Sequence, residues 1–324
     1  MKKAGKINTV CSIFESFDIP HKIKFVVIAA QFRGNWVFVR QKHRDTYELP
    51  GGHVERGENV IHAARRELYE ESGIVAARLY PVCAYSVSVG SGSVEKAGRR
   101  ITYGKLFYAE ALCMAALPPY EMEEVRADGF IPDLKEYSHP EMHPALFAKA
   151  TSWLQKHKND MPANGFFYEK VCGAVTYCVE DQVRKYLLIK NLSGHIGFPK
   201  GHAENDESEL DTARREVLEE TGLRPEFSPH FRYSFYYTAM EKNHRIHKQA
   251  VYFTARFEHT AQNPVQVQEA EILNWWLVPL PEAMDLLNKE NDRTLLLRAD
   301  AWIAHHMHAS GDPSIFPKSG IFTV

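Results

Sequence analysis

The same succession of apolar runs and polar turns occurs twice along this chain. In the first half, two apolar runs at residues 24–31 and 35–41 flank a turn at Arg33-Gly34. In the second half, the runs at 171–180 and 185–191 flank a polar turn in the same way. Apolar runs of this length, bounded by turn residues, predict β-strands that are joined as hairpins.

Each predicted hairpin leads into a glycine-containing loop and then into a segment with helical periodicity. Apolar residues recur there at intervals of three and four, the spacing of one helix face. They are Ile61, Ala64 and Leu68 in the first segment, and Leu210, Ala213 and Val217 in the second. We expect Gly73 and Gly222 to end these helices, because glycine is favoured just after a helix.

The two copies are related by a constant offset of 149 residues, measured from Glu67 to Glu216. This period is too long for a solenoid and indicates duplication of a whole domain. A helix-like segment at 144–156 ends the first copy, and the polar stretch 156–165, with Pro and Gly, is the predicted join. The predicted domains are residues 1–159 and 160–324.

Composition agrees with two globular domains. The chain has 324 residues, 44% of them hydrophobic, which is enough for two substantial cores. Its 39 basic and 41 acidic residues give a formal charge of −2, so neither nucleic acid nor an anionic membrane is the expected partner. The five cysteines form no CxxC pair, and no stretch approaches about 18 apolar residues. We expect a cytoplasmic protein, monomeric or homodimeric.

Each helical segment also carries three glutamates on one side. The trios are Glu67, Glu70 and Glu71 in the first copy, and Glu216, Glu219 and Glu220 in the second. At about 100° per residue, each trio falls within an arc of roughly 100° near the C-terminal end of its helix. Carboxylates crowded there repel one another and oppose the helix dipole.

A single acidic helix of this kind would be interpreted as a solvated surface. Its duplication beside a glycine-rich loop favours a site for a hard divalent cation, which binds oxygen ligands. Mg²⁺ also retains water molecules and binds substrate phosphates. The pattern therefore favours the attack of water on a phosphoanhydride.

Both segments match the Nudix box, G-x5-E-x7-R-E-U-x-E-E-x-G-U with U an aliphatic residue, at every position. The matching residues are Gly52, Glu58, Arg66, Glu67, Leu68, Glu70, Glu71, Gly73 and Ile74, and then Gly201, Glu207, Arg215, Glu216, Val217, Glu219, Glu220, Gly222 and Leu223. The chain thus resembles the Nudix hydrolases. The resemblance implies an α/β fold with two Nudix-type α/β/α sandwich domains and mixed sheets. It also implies hydrolysis of nucleoside diphosphate-linked substrates with Mg²⁺ or Mn²⁺.

The resemblance further implies a role for each box residue. The six trio glutamates would be metal ligands, together with the backbone carbonyls of Gly51 and Lys200. Glu71 and Glu220 are also catalytic candidates, as are Arg66, Arg215 and the loop glutamates Glu124 and Glu271. Arg66 and Arg215 would orient the acidic rows. Glu58 would pair with Arg66, and Glu207 with Arg215. The box glycines would be structural, namely Gly52, Gly73, Gly201 and Gly222.

Many Nudix hydrolases add a glutamate from a loop beyond the box, as a metal ligand or general base. The candidates are Glu121, Glu123 and Glu124 in the first copy, and Glu269 and Glu271 in the second. We favour Glu124 and Glu271, the latter because it precedes Trp275 in a pattern typical of the strand after that loop. A surface carboxylate is an equally good interpretation of any one of them.

The second copy reads GFPKGHAE at its box and resembles the diadenosine tetraphosphate hydrolases. Lys200 stands there in place of Gly51 and offers a point charge to an extended polyphosphate, unless it is simply a solvated lysine. Tyr237 would stack an adenine, although a core position fits its strand spacing equally well. Lys248 is a candidate for contact with phosphates.

The first copy reads YELPGGHVERGE and resembles the branch that hydrolyses nucleoside triphosphates, including oxidised purine nucleotides. Tyr47 and Glu48 would line the entrance to that site, or form an ordinary strand-end pair. A small-molecule nucleotide is the expected partner of both copies.

Three alternatives stay open at the level of sequence. In the first alternative, one copy is catalytically idle and serves as a scaffold or nucleotide sensor. In the second, the whole chain is a ligand-sensing regulator, although the intact trios and the lack of a recognisable DNA-binding unit argue against this. In the third, the second copy acts on the 5′ end of RNA, an activity that the near-neutral charge disfavours.

Overall fold

The computed structural model of the chain describes residues 7–91, 100–241 and 244–310. Its contacts divide the chain into two compact units, Met1–Tyr168 and Glu169–Val324. We call these unit 1 and unit 2. The boundary predicted at residues 159/160 lies earlier in the chain and stays a prediction.

Unit 1 combines a mixed sheet with two α-helices. Its strands are β1 (Ile7–Ile13), β2 (Ile23–Phe32), β3 (Asn35–Trp36), β4 (Phe38–Gln41), β5 (Tyr47–Glu48), β6 (Gly51–His53), β7 (Ile74–Ser91), β8 (Arg100–Met114) and β9 (Met122–Arg126). The helices are α1 (Val60–Ser72) and α2 (His143–His157), and a short 3₁₀ helix spans Leu134–Glu136. The predicted turn at Arg33-Gly34 is present, with positive φ at both residues.

The strands of unit 1 form two sheets. In the larger one, β7 pairs antiparallel with β1 and β8, while β8 runs parallel to β2. The strand β2 in turn pairs antiparallel with β3 and β6. The smaller sheet has the order β5-β4-β9. Because β6 opens the box loop, its ladder with β2 fixes that loop beside β2 of the larger sheet.

Alternation along β2 buries both faces of the larger sheet. Val26, Ile28 and Ala30 share one core with Ala64 and Leu68 of α1. On the other face, Val27 and Ala29 share a second core with Leu146 and Ala150 of α2. Since successive side chains on a strand point to opposite faces, helix packs on sheet on both sides.

Unit 2 repeats this plan. Its strands are β10 (Phe166–Glu180), whose first residues belong to unit 1, β11 (Val183–Asn191), β12 (Ile196–Gly197), β13 (Lys200–His202), β14 (Glu226–Glu241), β15 (His244–Arg256) and β16 (Ile272–Pro279). Its helices are α3 (Glu209–Thr221), α4 (Leu280–Leu286) and α5 (Glu290–Ser310). The strand β10 pairs antiparallel with β11 and with β13, as β2 does with β3 and β6.

The two faces of β10 are again both buried. Cys172 and Ala174 lie in a core with Ala213 and Val217 of α3. The opposite face, which includes Val175, packs in a core with residues of α4 and α5. The predicted α/β fold is therefore confirmed. None of the helices in the part of the chain described is long and apolar enough to cross a membrane.

Candidate active site

The acidic helices α1 and α3 begin and end in the same way. Asn59 caps α1 by accepting hydrogen bonds from the amides of Ile61 and His62, and Ser208 caps α3 by accepting one from Asp211. Each helix ends at a glycine in the left-handed region, with φ of 72° at Gly73 and 70° at Gly222. The predicted helix ends are thus present, and they hold both acidic rows in one register relative to the preceding loops.

Arg66 joins the glutamates of the first box into a single network. Its Nε and Nη2 donate to the two oxygens of Glu58 at 3.0 and 2.9 Å. Its Nη1 donates to Glu67 at 2.8 Å and to Glu70 at 3.1 Å, and Nη2 also reaches the carbonyl of His53 at 2.9 Å. The guanidinium therefore spans the loop and one side of the acidic row.

Arg215 makes the same five hydrogen bonds in the second box. It donates to both oxygens of Glu207 at 2.6 and 3.0 Å, to Glu216 at 2.7 Å and to Glu219 at 2.9 Å. The fifth bond reaches the carbonyl of His202 at 2.7 Å. Two segments 149 residues apart thus build one and the same arrangement, atom for atom.

The charge-assisted bonds separate the box glutamates into two kinds. Burial alone would raise the pKa of Glu58 and Glu207, but the hydrogen bonds from the arginines lower both below the ordinary value. Burial raises the pKa of Glu67 and Glu216, and here the arginines offset only part of the rise. One carboxylate of each box, Glu58 or Glu207, therefore holds the loop, while Glu67 and Glu216 on the helices keep a cost of burial and crowding.

The third glutamate of each trio is held by the backbone of the loop. The amide of Gly51 donates to Glu71 at 2.7 Å, and the amide of Lys200 donates to Glu220 at 2.8 Å. Burial raises the pKa of Glu71 well above its ordinary value despite this bond. The pKa of Glu220 rises to about 7, again chiefly by burial, with the amide and charge of Lys200 offsetting part of the rise.

The second glycine of each loop leaves room for a carboxylate. A Cβ at Gly52 would stand 2.4–2.6 Å from the carboxyl atoms of Glu67, and one at Gly201 would stand 2.1–2.2 Å from those of Glu216. Neither glycine has a positive φ, so the requirement is for space alone. Only glycine lets the acidic row lie directly against the loop.

The residues of each box fit a divalent cation by their chemistry. They offer several crowded carboxylate oxygens and a neighbouring carbonyl, which are hard ligands. Within the described part of the chain, no three acidic, histidine or cysteine side chains are gathered around one point as they stand. In this structure the arginines and loop amides each hold one oxygen of a trio glutamate.

The loop glutamates favoured from sequence lie in different surroundings. Glu124 pairs across strands with Arg40, whose Nε donates to it at 2.8 Å, and it also accepts from the hydroxyl of Tyr47 at 3.1 Å. Another candidate, Glu121, lies beside the first box, where its charge helps to raise the pKa of Glu71. The structure therefore brings Glu121, and not Glu124, to the trio.

Glu271, the other loop glutamate favoured from sequence, lies beside the second box. Its charge contributes to the raised pKa of Glu220. The loop that carries it is tied to the end of α3, because the amides of Gln266 and Gln268 donate to the carbonyls of Thr221 and Glu220. The side chain of Glu271 itself is exposed.

A cavity of about 960 Å³ opens above the first box. Its walls include all three trio glutamates, the loop of Gly51 and Gly52, and the residues Phe25, Glu48, Tyr85, Glu121, His139 and His143. Tyr47 instead packs its ring on Phe130, with centroids 4.7 Å apart. Of the two residues expected at the entrance, Glu48 is the one among the lining residues.

Unit 2 has a charged cluster beside its box. The Nζ of Lys248 lies 2.9 Å from Nε2 of His202 and 3.2 Å from Glu169, and only 5% of Lys248 is exposed. His202 and Glu169 are also within 2.9 Å of each other. Tyr237 is the cross-strand neighbour of Lys248 and packs at the edge of a core.

In unit 1 the histidine of the loop has an aromatic neighbour instead. His53, which follows the box glycine as His202 does, lies against Phe25 with ring centroids 4.5 Å apart. The histidines and Glu169 were not predicted as site residues. A histidine directly after the box glycine in both copies was the sequence signal for the two histidines, and no such signal marked Glu169.

The comparison with known families agrees with this geometry. The NUDIX domain matches residues 20–111 and 172–299, which together are more than half of the chain. The chain therefore belongs to the NUDIX family, the Nudix hydrolases, whose members are pyrophosphohydrolases that typically use a divalent metal.

Individual relatives are similar over shorter stretches. The human protein named nucleoside diphosphate-linked moiety X motif 6 is 36% identical over 80 residues, 24% of this chain and 24% of that protein. The 8-oxo-dGTP diphosphatase of Buchnera aphidicola is 44% identical over 36 residues, 11% of this chain and 29% of that protein. This chain thus spans less than a third of the length of each of these curated relatives.

A solved structure is similar to part of the chain. The Ap4A hydrolase of C. elegans, in a binary complex, is 25% identical, with a TM-score of 0.38. The match covers 42% of this chain and 98% of that structure.

Proposed function

We propose that both units are pyrophosphohydrolase sites, each catalysing substitution by water at a phosphorus atom of a nucleoside diphosphate-linked substrate. The observation that carries this proposal is the pair of identical arginine networks, in which Arg66 and Arg215 each make five hydrogen bonds to equivalent atoms. A copy released from selection for chemistry would not be expected to keep every one of these contacts.

The trio glutamates of each unit would hold Mg²⁺ or Mn²⁺, with the carbonyls of Gly51 and Lys200. A cation bound there would neutralise charge on the substrate phosphate and favour ionisation of a water molecule. The residues of the chain hold these carboxylate ligands in position. Arg66 and Arg215 keep the acidic rows in place, and the amides of Gly51 and Lys200 set the orientation of Glu71 and Glu220.

The general base is proposed to come from the loop beyond each box. In unit 2 this is Glu271, and in unit 1 it is Glu121 rather than Glu124. The support for Glu121 is its place in the wall of the cavity and its charge interaction with Glu71. Glu124 is engaged by Arg40 and Tyr47, so its carboxylate is already satisfied.

The substrates of the two units are proposed to differ. For unit 1 we propose a nucleoside triphosphate-like substrate, because one cavity joins the acidic trio to aromatic and apolar walls of a size that suits a single nucleotide. For unit 2 we propose a dinucleoside polyphosphate-like substrate. Lys200, Lys248 and His202 place positive or protonatable groups beside the box there. Unit 1 has Gly51 in place of Lys200, and its His53 lies against Phe25.

Hydrolysis by single-site variants tests both assignments. Wild type, Glu71→Gln and Glu220→Gln would be assayed with Mg²⁺ and with Mn²⁺ on nucleoside triphosphates, 8-oxo-dGTP and diadenosine tetraphosphate. Glu110→Gln and Glu226→Gln are matched controls, because they change glutamates on strands β8 and β14, outside both boxes. We expect Glu71→Gln to remove triphosphate hydrolysis and Glu220→Gln to remove diadenosine tetraphosphate hydrolysis, each by about 100-fold or more.

Two results would contradict the proposal. If one variant removed all activity and the other none, the second unit would be a scaffold or a sensor. If wild type hydrolysed no substrate with either metal, the chain would not be a hydrolase of these compounds.

A further inference from the structure

The loop glutamate beside each box is held by a backbone hydrogen bond that both units share. In unit 1 the amide of Lys42, which directly follows β4, donates to the carbonyl of Glu121 at 3.0 Å. In unit 2 the amide of Leu192, which directly follows β11, donates to the carbonyl of Glu271 at 3.1 Å. Leu192 minus Lys42 and Glu271 minus Glu121 are both 150 residues. Glu121 is therefore the structural counterpart of Glu271.

A β-bulge beside this hydrogen bond sets the direction of each loop. In unit 1 the register of β4 against β9 shifts after Arg40, and Glu123 is the extra residue. In unit 2 the register of β11 against β16 shifts after Lys190, and Leu273 is the extra residue. A bulge bends its strand and re-aims the neighbouring side chains. The two units thus present their loop glutamates through the same irregularity of the backbone.

Unit 1 adds charged side-chain contacts to this shared backbone. Arg40 donates from Nη1 to Glu123 at 2.9 Å and from Nε to Glu124 at 2.8 Å. Lys42 donates from Nζ to the carbonyl of Tyr120 at 2.5 Å. The bond from Arg40 lowers the pKa of Glu124 below its ordinary value, so both partners are charged at neutral pH. We call Arg40 and Lys42 the clamp, because they tie the chain on both sides of the loop glutamate to the end of β4.

Unit 2 has other side chains at the positions of the clamp. The counterpart of Arg40 is Lys190, and the residue opposite it is the uncharged Asn274. The counterpart of Lys42 is Leu192, whose exposed side chain has no hydrogen-bond donor. The ion pairs at these positions are therefore specific to unit 1.

The clamp lies outside the cavity and reaches it only through the loop. Tyr120 and Glu121 belong to the residues that line the cavity, whereas Arg40 and Lys42 do not. Because the side chain of Glu121 is exposed, packing alone does not fix its carboxylate. A general base has to stay within hydrogen-bond reach of the proton that it removes, and a displacement of about 1 Å can lower a rate by about 100-fold. Exposed ion pairs add little to stability, so their main effect here is on the position of the loop.

We propose that Arg40 and Lys42 are positioning residues of unit 1, which hold Glu121 at the trio of glutamates. This inference rests on the proposed role of Glu121 as the general base. The clamp touches neither the cation ligands nor the substrate pocket, so its loss leaves substrate binding intact. It lowers kcat for the unit 1 substrate and changes KM little.

A cycle of single and double variants tests the proposal on hydrolysis of a nucleoside triphosphate with Mg²⁺. We expect Glu121→Gln to lower kcat by about 100-fold and Arg40→Gln to lower it by about 10-fold, each with KM within about 2-fold of wild type. Because Arg40 acts through Glu121, the double variant should be no slower than Glu121→Gln alone. Lys42→Met should lower kcat as Arg40→Gln does. Arg40→Lys keeps one of the two ion pairs and should recover part of the loss.

Hydrogen exchange measures the attachment of each loop without any need for turnover. Arg40→Gln should speed the exchange of the Lys42 amide by about 10-fold, because its acceptor, the carbonyl of Glu121, moves away more often. The amide of Leu192 should be unaffected. Lys190→Gln is the matched control in unit 2. It should leave the exchange of Leu192 and the kcat for the unit 2 substrate within about 2-fold of wild type.

Additive losses in the double variant would overturn the inference, as would an unchanged kcat in folded Arg40→Gln and Lys42→Met. The outcome is separable from that of the proposed function. A loss in Glu121→Gln alone would keep the hydrolase and its base and remove the clamp. Full activity in Glu121→Gln would remove both the base and the clamp. If wild type hydrolysed no substrate, faster exchange of the Lys42 amide in Arg40→Gln would still support the attachment, and unchanged exchange would overturn it.

Discussion

At the scale of single residues, the site depends on a few contacts that only one side chain can make. Arg66 and Arg215 each use all three guanidinium nitrogens, which a lysine ammonium cannot reproduce because it is a point charge without a planar fork. Gly52 and Gly201 are required because a carboxyl group occupies the space of their absent Cβ. Neither requirement depends on a neighbouring unit, so each can be tested one copy at a time.

Arg66→Lys should lower kcat/KM for the unit 1 substrate by about 100-fold. The charge is kept but the bidentate pair with Glu58 is lost, and the acidic row shifts. Arg215→Lys should have the same effect on the unit 2 substrate. Steady-state kinetics on both substrates checks this, and a loss in the unit that was not changed would show that the networks are coupled.

Gly52→Ala should weaken Mn²⁺ binding to unit 1 by about 10- to 100-fold while leaving the unit folded. The added methyl group displaces Glu67, whereas the backbone conformation is one that alanine adopts. Titration of Mn²⁺ by electron paramagnetic resonance measures the affinity, and Gly201→Ala is the reciprocal control for unit 2. Unaltered affinity in both variants would mean that Glu67 and Glu216 are not metal ligands.

At the scale of elements, the helix ends and the start of α2 decide how the site is held. Gly73 and Gly222 are both left-handed, but their surroundings differ. A Cβ at Gly73 would stand 2.5 Å from the carbonyl oxygen of Ala115, which is backbone, while the nearest atom at Gly222 is the side-chain Cβ of Gln266 at 3.0 Å. In α2, Nδ1 of His143 accepts a hydrogen bond from the amide of Leu49 at 3.1 Å.

Gly73→Ala should therefore destabilise its unit more than Gly222→Ala does. Both variants carry a left-handed penalty of about 1 kcal/mol. The backbone contact at position 73 should add about 1–3 kcal/mol of strain. Hydrogen exchange of the α1 and α3 amides would give the two opening free energies separately. Equal losses would show that the carbonyl of Ala115 moves away at little cost.

His143 should make unit 1 less stable as the solution becomes acidic. Burial, with a smaller contribution from His139, lowers its pKa to about 3. Between about pH 6.5 and pH 3 the unfolded chain takes up a proton that the folded chain does not. The stability from this group is fully present above about pH 6.5 and is lost as the pH falls, by at most about 1.4 kcal/mol per pH unit.

His143→Asn should make that acid dependence shallower, because the asparagine oxygen accepts the same bond from Leu49 and does not titrate. Urea unfolding at several values between about pH 4 and pH 7 would measure the slope. His21→Asn, which changes an exposed histidine, is the control and should keep the wild-type slope. An unchanged slope in His143→Asn would mean that His143 is accessible to protons in the folded state.

At the scale of the whole molecule, duplication has produced two units with one catalytic framework and different walls. Each unit places crowded carboxylates at a helix end, where they are unfavourable until a cation is bound. The differences lie around these frameworks. Glu48 in unit 1 corresponds to Gly197 in unit 2, and His53 lies against Phe25 whereas His202 lies between Glu169 and Lys248. Stability and specificity should consequently respond to mutation independently in the two units.

Mg²⁺ should raise the thermal stability of wild type through both sites, since a ligand that binds the folded state alone stabilises it. Glu71→Gln should raise the melting temperature of the metal-free protein, because it removes a buried charge from a repulsive cluster. It should also remove the part of the Mg²⁺-induced rise in melting temperature that comes from unit 1. Differential scanning calorimetry of Glu71→Gln, Glu220→Gln and the double variant checks this. If Mg²⁺ raised the melting temperature of the double variant as much as that of wild type, the cation would bind elsewhere.

The sequence by itself determined the duplication, the strand–loop–helix order of each copy and the box residues, because these depend on local periodicity and fixed spacing. The turn at Arg33-Gly34 and the helix ends at Gly73 and Gly222 could be predicted for the same reason. Only the tertiary structure decided which distant carboxylates meet the trios. Glu121 and Glu124 are three residues apart, and the register of β9 against β4 gives Glu124 to Arg40. The burial of Glu48 in the cavity wall likewise could not be predicted, since burial is set by contacts between segments remote in sequence.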